Sequence, residues 1–246
     1  MKSTMAGWVA MLWMGAACAG FAQAPAGWNF EITPYVWLAG LEGDVSVNGR
    51  GVEFDKSYGE LFDATEPSGS LRIGAQYQRL VVGALVDHLS LGTDEIEVDP
   101  RARGGSLESK LLLTEVLAGY RVDGWSEGQT FVLGAGVRNL HAEHDLALPG
   151  GEIFARENDV TDAMLFVLPS VPVLPSKIEG LRFNPVLGIG AGDSKLAHEL
   201  FPQFQYRIAG AVTARLGYRT VGWKSKDEQE STFRMAGLIA GIGLTF

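Results

Sequence analysis

The C-terminal segment 234–246 most strongly constrains what this chain can fold into. Apolar and small side chains alternate there, so that Leu238, Ile242, Leu244 and Phe246 share one face of an extended strand and glycines occupy the other. Residues two positions apart in a strand point to the same side of a sheet. A strand that is apolar on one face, small on the other and closed by an aromatic residue fits a sheet whose outside meets lipid.

The same two-residue period recurs along the chain and predicts further strands. It is clearest from Trp28 to Ala39, and the other predicted strands are 68–78, 80–91, 108–122, 129–146, 158–173, 180–193, 200–208, 211–223 and 233–246. A tilted membrane strand needs about 9–11 residues, which matches most of these lengths. The sequence therefore predicts an all-β fold, a transmembrane antiparallel up-and-down β-barrel of about ten strands, with eight to twelve compatible with the same pattern.

The predicted connections alternate between short and long, as they do in bacterial barrels. Short turns are expected at 78–79, 123–128, 170–179 and 209–210, and longer outer loops at 41–67, 92–107, 147–157, 194–199 and 224–232. An even strand count with short turns inside and long loops outside places both termini in the periplasm.

The N-terminus has the pattern of an export signal. Lys2 provides the positive start, an apolar stretch follows, and small residues lead to cleavage after Ala22 or Ala24. We therefore expect residues 1–24 to be a signal peptide and residues 25–246 to form a single barrel domain. Cys18 lies within the signal, so no thiol or disulfide is expected in the exported protein. The expected location is the bacterial outer membrane.

Charged residues within the predicted strands alternate with apolar neighbours and are expected to face the lumen. These lumen-lining candidates are Arg72, Glu115, Arg121, Arg138, Arg182, Arg207, Arg215 and Arg219. An arginine facing lipid at mid-membrane costs about 2–4 kcal/mol, which favours the inward orientation. Glu31, Asp87 and Glu115 are the expected inward partners, and glycines such as Gly188 and Gly241 are expected to leave inner-face room for the long arginines.

Several short motifs in a fixed order resemble small Gram-negative outer-membrane β-barrel proteins of the OmpA/OmpW-like type. They are Tyr35-Val36-Trp37, Gly136-Val137-Arg138, Gly188 to Gly192, Phe204-Gln205-Tyr206-Arg207, Leu216-Gly217-Tyr218-Arg219 and Gly241-x-x-Leu244-x-Phe246. The resemblance implies that Gly241, Leu244 and Phe246 are an assembly signal, recognised by the barrel-assembly machinery. Ile239 departs from this pattern, since a polar residue is usual there. Outer-membrane lipid and lipopolysaccharide are the other expected partners, and the barrel is expected to be monomeric.

Two motifs raise the alternative of an envelope enzyme. His88-x-Ser90 resembles the His-x-Ser of outer-membrane lipid A deacylases, with Glu95 or Glu97 available to orient the imidazole. The rest of that family's pattern is not apparent, and both glutamates fall in a predicted loop. A histidine at the membrane boundary is the simpler interpretation.

The second motif consists of Asp87-His88 and His141-x-x-His144-Asp145, which resemble the aspartate–histidine sites of omptin proteases. A spacing of three places His141 and His144 on opposite faces of a strand, so the two cannot share one metal ion without a bend. No catalytic residue, cofactor or metal site is therefore expected.

The formal net charge of −9 excludes a general attraction to nucleic acid. The acidic residues concentrate in the predicted loops 41–67 and 92–107, where they could gather divalent cations that bridge lipopolysaccharide phosphates or simply maintain solubility. The sequence favours a structural or interaction protein that displays these loops. A narrow channel for small solutes, with arginines that prefer anions, is the alternative, and a wide porin is excluded because side chains nearly fill a barrel of this size.

Overall fold

The computed structural model describes residues 27–47, 50–56, 69–99, 102–147, 153–226 and 232–246. These residues form strands β1 (Trp28–Val47), β2 (Arg50–Lys56), β3 (Gly69–Tyr77), β4 (Leu80–Asp99), β5 (Ala102–Asp123), β6 (Thr130–Ala147), β7 (Ile153–Pro172), β8 (Leu181–Phe183), β9 (Val186–Gly192), β10 (Leu196–Phe201), β11 (Gln203–Ala209), β12 (Val212–Lys224) and β13 (Thr232–Thr245). No helix capable of crossing a membrane occurs in this part of the chain. The predicted signal peptide lies outside the described residues.

The strands pair antiparallel with their sequence neighbours and close into a barrel. Closure is made by β1 and β13, whose register runs from Glu31 opposite Thr245 to Asp44 opposite Thr232. We call each place in the closed ring of strands a wall position. The pair β8 and β9 shares one position, the pair β10 and β11 shares another, and β2 only extends a hairpin beside β1, so the thirteen strands occupy ten wall positions. The prediction of an all-β antiparallel barrel with ten strands is confirmed.

Prolines explain why two neighbouring wall positions are each split into two strands. Pro185 separates β8 from β9, and Pro202 separates β10 from β11. Proline has no backbone N–H to donate to a ladder, so each ring interrupts the pairing locally. The register is the same on both sides of the interruption, because Phe201 lies opposite Val186 and Phe204 lies opposite Phe183.

The predicted loops were too long in several places. Segments 41–67 and 92–107 contain strand extensions, including the β1–β2 hairpin and the upper parts of β4 and β5. The predicted loop 194–199 is wrong, because Leu196–Phe201 is β10 and only a short bend precedes it. The polar residues Ser194 and Glu199 of this segment are buried inside the barrel, so their polarity does not indicate a loop.

We call the end with the short connections, near residues 78–79, 124–129, 173–180 and 210–211, the turn end, and the opposite end the loop end. Gln78 (φ 52°) and Gly210 (φ 44°) have the left-handed backbone typical of tight turns between paired strands. The turn end carries an exposed ion pair, in which Arg79 Nη2 lies 2.7 Å from Asp123 Oδ2.

The outer wall carries an apolar belt. Its exposed members include Ile73, Val116, Leu133, Val137, Leu165, Ile189, Leu216 and Leu238. An aromatic girdle borders the belt at the turn end, where Trp28 contacts Phe30 and Tyr77, Phe30 contacts Phe246, and Trp125 contacts Phe131. Such girdles are typical of barrel residues at a membrane–water interface.

The belt ends within β6. Its outward residues are apolar from Phe131 to Val137 and polar from Asn139 onward, where His141 and Glu143 follow. The upper part of the barrel therefore rises above the apolar belt with a polar outer wall.

Position along β6 should decide the cost of placing an arginine on the outer wall. In lipid vesicles, we expect Leu133→Arg, within the belt, to lower the free energy of unfolding by about 2–4 kcal/mol. Asn139→Arg, on the same face above the belt, should lower it by about 0–1 kcal/mol. Urea unfolding followed by tryptophan fluorescence measures both. Equal costs for the two variants would contradict the assignment of the belt to lipid.

Candidate functional site

The barrel interior has three layers, and the layer at the loop end is apolar. Its side chains, none more than 5% exposed, are Trp37, Leu41, Leu89, Leu111, Leu113, Leu140, Val221, Trp223 and Met235. They pack together in one cluster within the barrel. This layer resembles the core of a water-soluble protein and closes the upper lumen.

The middle layer is a network of buried charges, and Arg138 on β6 forms one half of it. Its Nε and Nη2 donate to Glu115 Oε2 at 2.9 and 2.6 Å, and Nη2 also donates to Glu199 Oε2. Arg138 is fully buried and the two glutamates nearly so. Glu115 lies directly opposite Arg138 on the neighbouring strand, whereas Glu199 approaches from β10.

Arg219 on β12 forms the other half. Its Nε donates to Glu199 Oε1 at 2.8 Å and its Nη1 to Asp87 Oδ2 at 2.5 Å, while the Tyr35 hydroxyl donates to Asp87 Oδ1 at 2.5 Å. The guanidinium carbon also lies 4.9 Å from the centre of the Trp37 ring, a cation–π geometry. The carboxylate of Glu199 thus joins both arginines. We call the six hydrogen-bonded residues Tyr35, Asp87, Glu115, Arg138, Glu199 and Arg219 the central network; Trp37 belongs to the apolar layer above it.

The central network holds three carboxylates and two arginines, and a third arginine borders it from below. Arg72, Glu115 and Glu199 line a small cavity of about 20 Å³ together with Leu85, Leu117 and Phe201. A cavity of this size holds about one water molecule, so it has no room for a solute.

The third layer, at the turn end, is polar. Glu31 Oε1 accepts hydrogen bonds from Arg215 Nη2 at 2.5 Å and from Thr33 Oγ1 at 2.8 Å. Gln203 Oε1 accepts from Arg215 Nη1 at 3.2 Å. Arg215 is held in place by these contacts and is 11% exposed.

Arg182 lies nearer the mouth of this polar layer. Its Nε donates to Ser170 Oγ at 2.7 Å, and its Nη2 donates to the carbonyl oxygens of Gly128 and Ser170 at 2.7 and 3.1 Å. Arg121 and Arg207 lie on the inward faces of β5 and β11 at the same end. All eight charged candidates named from the sequence therefore occupy inward positions, in the middle or turn-end layer.

Two buried carboxylates in the interior were missed by the sequence analysis. Glu199 was placed in a predicted loop, although it is the residue that links both arginines of the central network. Asp162 is also fully buried and accepts hydrogen bonds from the backbone N–H and hydroxyl of Ser194 at 2.9 and 2.7 Å. Alternation with apolar neighbours from Leu196 to Phe201 was the signal that could have identified Glu199.

The inner-face glycines make room for groups other than arginine. A Cβ at Gly188 would lie 2.9 Å from the Phe166 ring, and one at Gly241 would lie 2.6 Å from Tyr35 Cβ. At these two positions the nearest groups are the Phe166 ring and Tyr35, and not an arginine.

The residues of the possible enzyme motifs are divided between the two faces of β4. Asp87 is buried inside and bonded to Tyr35 and Arg219, whereas its neighbour His88 is exposed on the outer wall. The two cannot act together as an aspartate–histidine pair in this arrangement. Ser90 shares the outward face with His88, and the side chains of Glu95 and Glu97 lie outside the described residues.

His141 on the outer wall above the belt faces carboxylates from two strands. Its Nδ1 lies 2.9 Å from Asp159 Oδ1 and its Nε2 lies 3.4 Å from Glu143 Oε1, and Glu157 lies opposite Glu143. Hydrogen bonds to Asp159 and Glu143 raise the pKa of His141 above its usual 6.5. These ion pairs therefore contribute stability below that pH and lose it as the pH rises through the raised pKa.

The donor atoms of His141, Glu157 and Asp159 all lie within 4.8 Å of one another and could hold a cation. All three lie on the exposed outer wall, where such groups are also typical of a solvated rim. The side chain of His144 lies outside the described residues, so the omptin-like arrangement of His141, His144 and Asp145 is not described.

The three residues of the expected assembly signal lie in the seam that closes the barrel. Phe246 and Phe30 exchange backbone hydrogen bonds at 2.8 and 3.0 Å, Gly241 lies opposite Tyr35, and Leu244 lies opposite Ile32. Leu244 and Phe246 are on the outward face. Their role in recognition stays a prediction.

No protein-family model and no curated protein matches the chain. Among solved structures it is similar to neisserial surface protein A, with 14% identity over 91% of this chain and 100% of that chain, at a TM-score of 0.34. It is also similar to the translocator domain of the autotransporter NalP from Neisseria meningitidis, with 8% identity, 98% and 96% coverage and a TM-score of 0.44. A third is Ail, the attachment invasion locus protein of Yersinia pestis, with 9% identity, 89% and 99% coverage and a TM-score of 0.37.

The expected resemblance to small outer-membrane barrels holds at the level of the fold. The chain's own geometry shows the architecture, since ten antiparallel wall positions enclose a charged interior and carry an apolar belt outside.

The central network predicts a large penalty for removing one of its charges. Arg138→Met should lower the free energy of unfolding by about 3–5 kcal/mol, because it leaves buried Glu115 without a cation. Combining it with Glu115→Gln should cost less than the sum of the two single changes. The free energies come from urea unfolding in lipid vesicles.

The exposed pair Arg234–Glu42, at 3.3 Å, provides the control. Arg234→Met should cost about 0–1 kcal/mol, since exposed ion pairs contribute little. A cost for Arg138→Met no greater than this control, or strict additivity with Glu115→Gln, would show that the network is not a coupled buried unit.

Proposed function

We propose that the protein is an outer-membrane β-barrel of structural or interaction type, with a lumen closed to solutes. The apolar belt and the aromatic girdle support the membrane location. The closed middle layer, in which Arg138, Arg219 and Asp87 are fully buried, carries the proposal against a conduit. Above it, the apolar layer fills the lumen toward the loop end.

A narrow anion channel is the alternative that arginines in the lumen suggest. Such a channel needs a continuous wet path past the central network. Arg138 and Arg219 each bind two carboxylates, and opening the path would leave several buried charges without partners at once. This cost favours the closed barrel over the channel, and over an enzyme that needs an accessible site.

Conductance tests the proposal directly. Full-length processed protein, isolated from outer membranes as a heat-modifiable species, should give no discrete conductance steps in planar lipid bilayers. A general porin inserted in the same bilayers shows that steps would be detected. Discrete steps that disappear in Arg219→Ala would place an ion path in the lumen and overturn the proposal.

The loop end offers a surface for interaction with lipopolysaccharide. Exposed carboxylates lie on the outer wall above the belt, mainly on β5, β6 and β7, and they include Glu42, Glu108, Glu143, Asp145, Glu157 and Asp159. Carboxylate oxygens are ligands for Ca²⁺ and Mg²⁺, and these ions can bridge to phosphate. We infer that divalent cations link this acidic rim to lipopolysaccharide.

Removal of divalent cations by a chelator should release lipopolysaccharide from the acidic rim. Lipopolysaccharide that co-purifies with the barrel in mild detergent should be lost on treatment with EDTA and retained when excess Mg²⁺ is added. Glu157→Gln combined with Asp159→Asn should reduce the amount retained, whereas Asp123→Asn at the turn end should not. Retention that is indifferent to EDTA would contradict cation bridging.

A further inference from the structure

We propose that the turn-end mouth of the lumen is a binding site for a phosphate-bearing anion that enters from that end. The site consists of Arg121, Arg182 and Arg207, with Arg215 behind them. The proposal does not depend on the proposed function, because it concerns a vestibule below the closed middle layer.

The inward side chains of the turn-end layer are strongly biased toward positive charge. Five arginines lie there, and they are Arg72, Arg121, Arg182, Arg207 and Arg215. In the described part of this layer, Glu31 is the inward carboxylate, and Asp123 at the strand end is bound to Arg79. Glu127 and Glu179 belong to the exposed turns.

One of the five positive charges is already paired, since Arg215 forms its ion pair with Glu31 at 2.5 Å. Arg72 lies deeper, where it lines the same small cavity as Glu115 and Glu199. Arg121 and Arg207 have no carboxylate within 4 Å among the residues that the structure describes. Arg182 is bound only by uncharged groups, the hydroxyl of Ser170 and two carbonyl oxygens. Three guanidinium charges at the mouth therefore lack a compensating anion.

Like charges also approach one another here. Arg182 lies opposite Gln205, so Arg207, two residues further along β11 on the same inward face, is its diagonal neighbour. Arg182 Nη2 also reaches the carbonyl oxygen of Gly128 in the turn that follows β5, the strand of Arg121. Repulsion of this kind is relieved when an anion lies between the two cations. The neighbouring polar side chains, such as Asn184 and Gln205, bind each other at 2.6 Å and supply no charge.

An unused donor inside the layer is a second and independent observation. Arg215 Nε is buried and has no hydrogen-bond partner, although both terminal nitrogens of its guanidinium are bonded. Nη1 of Arg138 and Nη2 of Arg219 are also buried without a partner, but both belong to the closed central network, whereas Arg215 belongs to the turn-end layer. An anion or a water bound in this layer supplies an acceptor for a buried donor of this kind.

The chemistry of the site favours phosphate over a single carboxylate. Guanidinium groups bind phosphate oxygens through paired, charge-assisted hydrogen bonds, and three arginines match several phosphate oxygens. The guanidinium of Arg182 is held by three hydrogen bonds, so little freedom is lost when it binds. A ligand can arrive only from the turn end, because the central network and the apolar layer block the other side.

Binding of inorganic pyrophosphate to the full processed barrel tests the proposal. In detergent with an uncharged headgroup and at low ionic strength, calorimetric titration should show saturable binding to the native protein. Arg121→Gln combined with Arg207→Gln should weaken the binding by about a hundredfold, since each of the two removed charge-assisted contacts carries roughly a factor of ten. Low salt matters because partly exposed charges are screened.

Arg79→Gln is the matched control, since it removes an exposed arginine at the same end but outside the lumen. It should leave pyrophosphate binding unchanged, and heat-modifiable gel mobility confirms that every variant is folded. Absence of binding to the native protein, or equal weakening by Arg79→Gln and by the double variant, would overturn the proposal.

The source of the phosphate is distinguished by a second arm in lipid nanodiscs. If a phospholipid headgroup occupies the mouth, nanodiscs of phosphatidylglycerol should weaken pyrophosphate binding relative to nanodiscs of phosphatidylcholine, and the double variant should abolish this difference. If a free phosphate compound is the ligand, the two lipids should give the same affinity. Either result supports a phosphate site and identifies where its ligand comes from.

Discussion

Buried charge inside a closed sheet is the constraint on which this structure depends. Arg138 and Arg219 can reach neither water nor lipid, so every oxygen that balances them must come from another wall of the same barrel. Some partners lie on neighbouring strands, as Glu115 does for Arg138 and Glu199 for Arg219. Two further contacts cross between strands that share no backbone ladder, since Glu199 on β10 also meets Arg138 on β6, and Asp87 on β4 meets Arg219 on β12. These cross-barrel pairs fix how closely the walls approach in the middle of the barrel.

The interior above and below this network is divided by polarity in the opposite sense to the outer wall, which is apolar at the belt and polar toward the loop end. Toward the loop end, Trp37, Trp223 and their neighbours exclude water. Toward the turn end, glutamine, asparagine and arginine side chains replace them. One lumen thus contains a dry core, a charged partition and a wet vestibule. The closed barrel and the anion site are compatible for this reason, since the partition separates the vestibule from the rest.

The strands could be predicted from sequence because lipid outside and side chains inside impose a strict period of two on each wall position. Strand ends were less predictable, since the outer face becomes polar above the belt while the ladder continues, as Asn139 and His141 show on β6. Glu199 was missed for another reason, because the strand that carries it has only six residues and follows a bend at 193–195. Which arginine meets which carboxylate could not be predicted either, because the pairs come from strands such as β6 and β10 whose relative height is set by the register of the whole barrel.

The neighbours of the inner-face glycines are a second case in which the sequence does not predict contacts between distant residues. A glycine at 188 or 241 indicates that something large lies nearby, but sequence spacing does not say whether it is an arginine or an aromatic ring. The local sequence pattern indicates which face of the strand a glycine occupies and that space is available beside it. The identity of the neighbour depends on contacts between residues far apart in the chain.

The seam between β1 and β13 has a consequence for how this molecule is made. Phe30 on β1 exchanges backbone hydrogen bonds with Phe246 beside β13, so the ring closes only after β13 has been synthesised. Until then the edges of β1 and β12 keep unpaired backbone groups, and such edges attract other chains. A chain with this closure therefore depends on protection of its early strands until β13 pairs with β1.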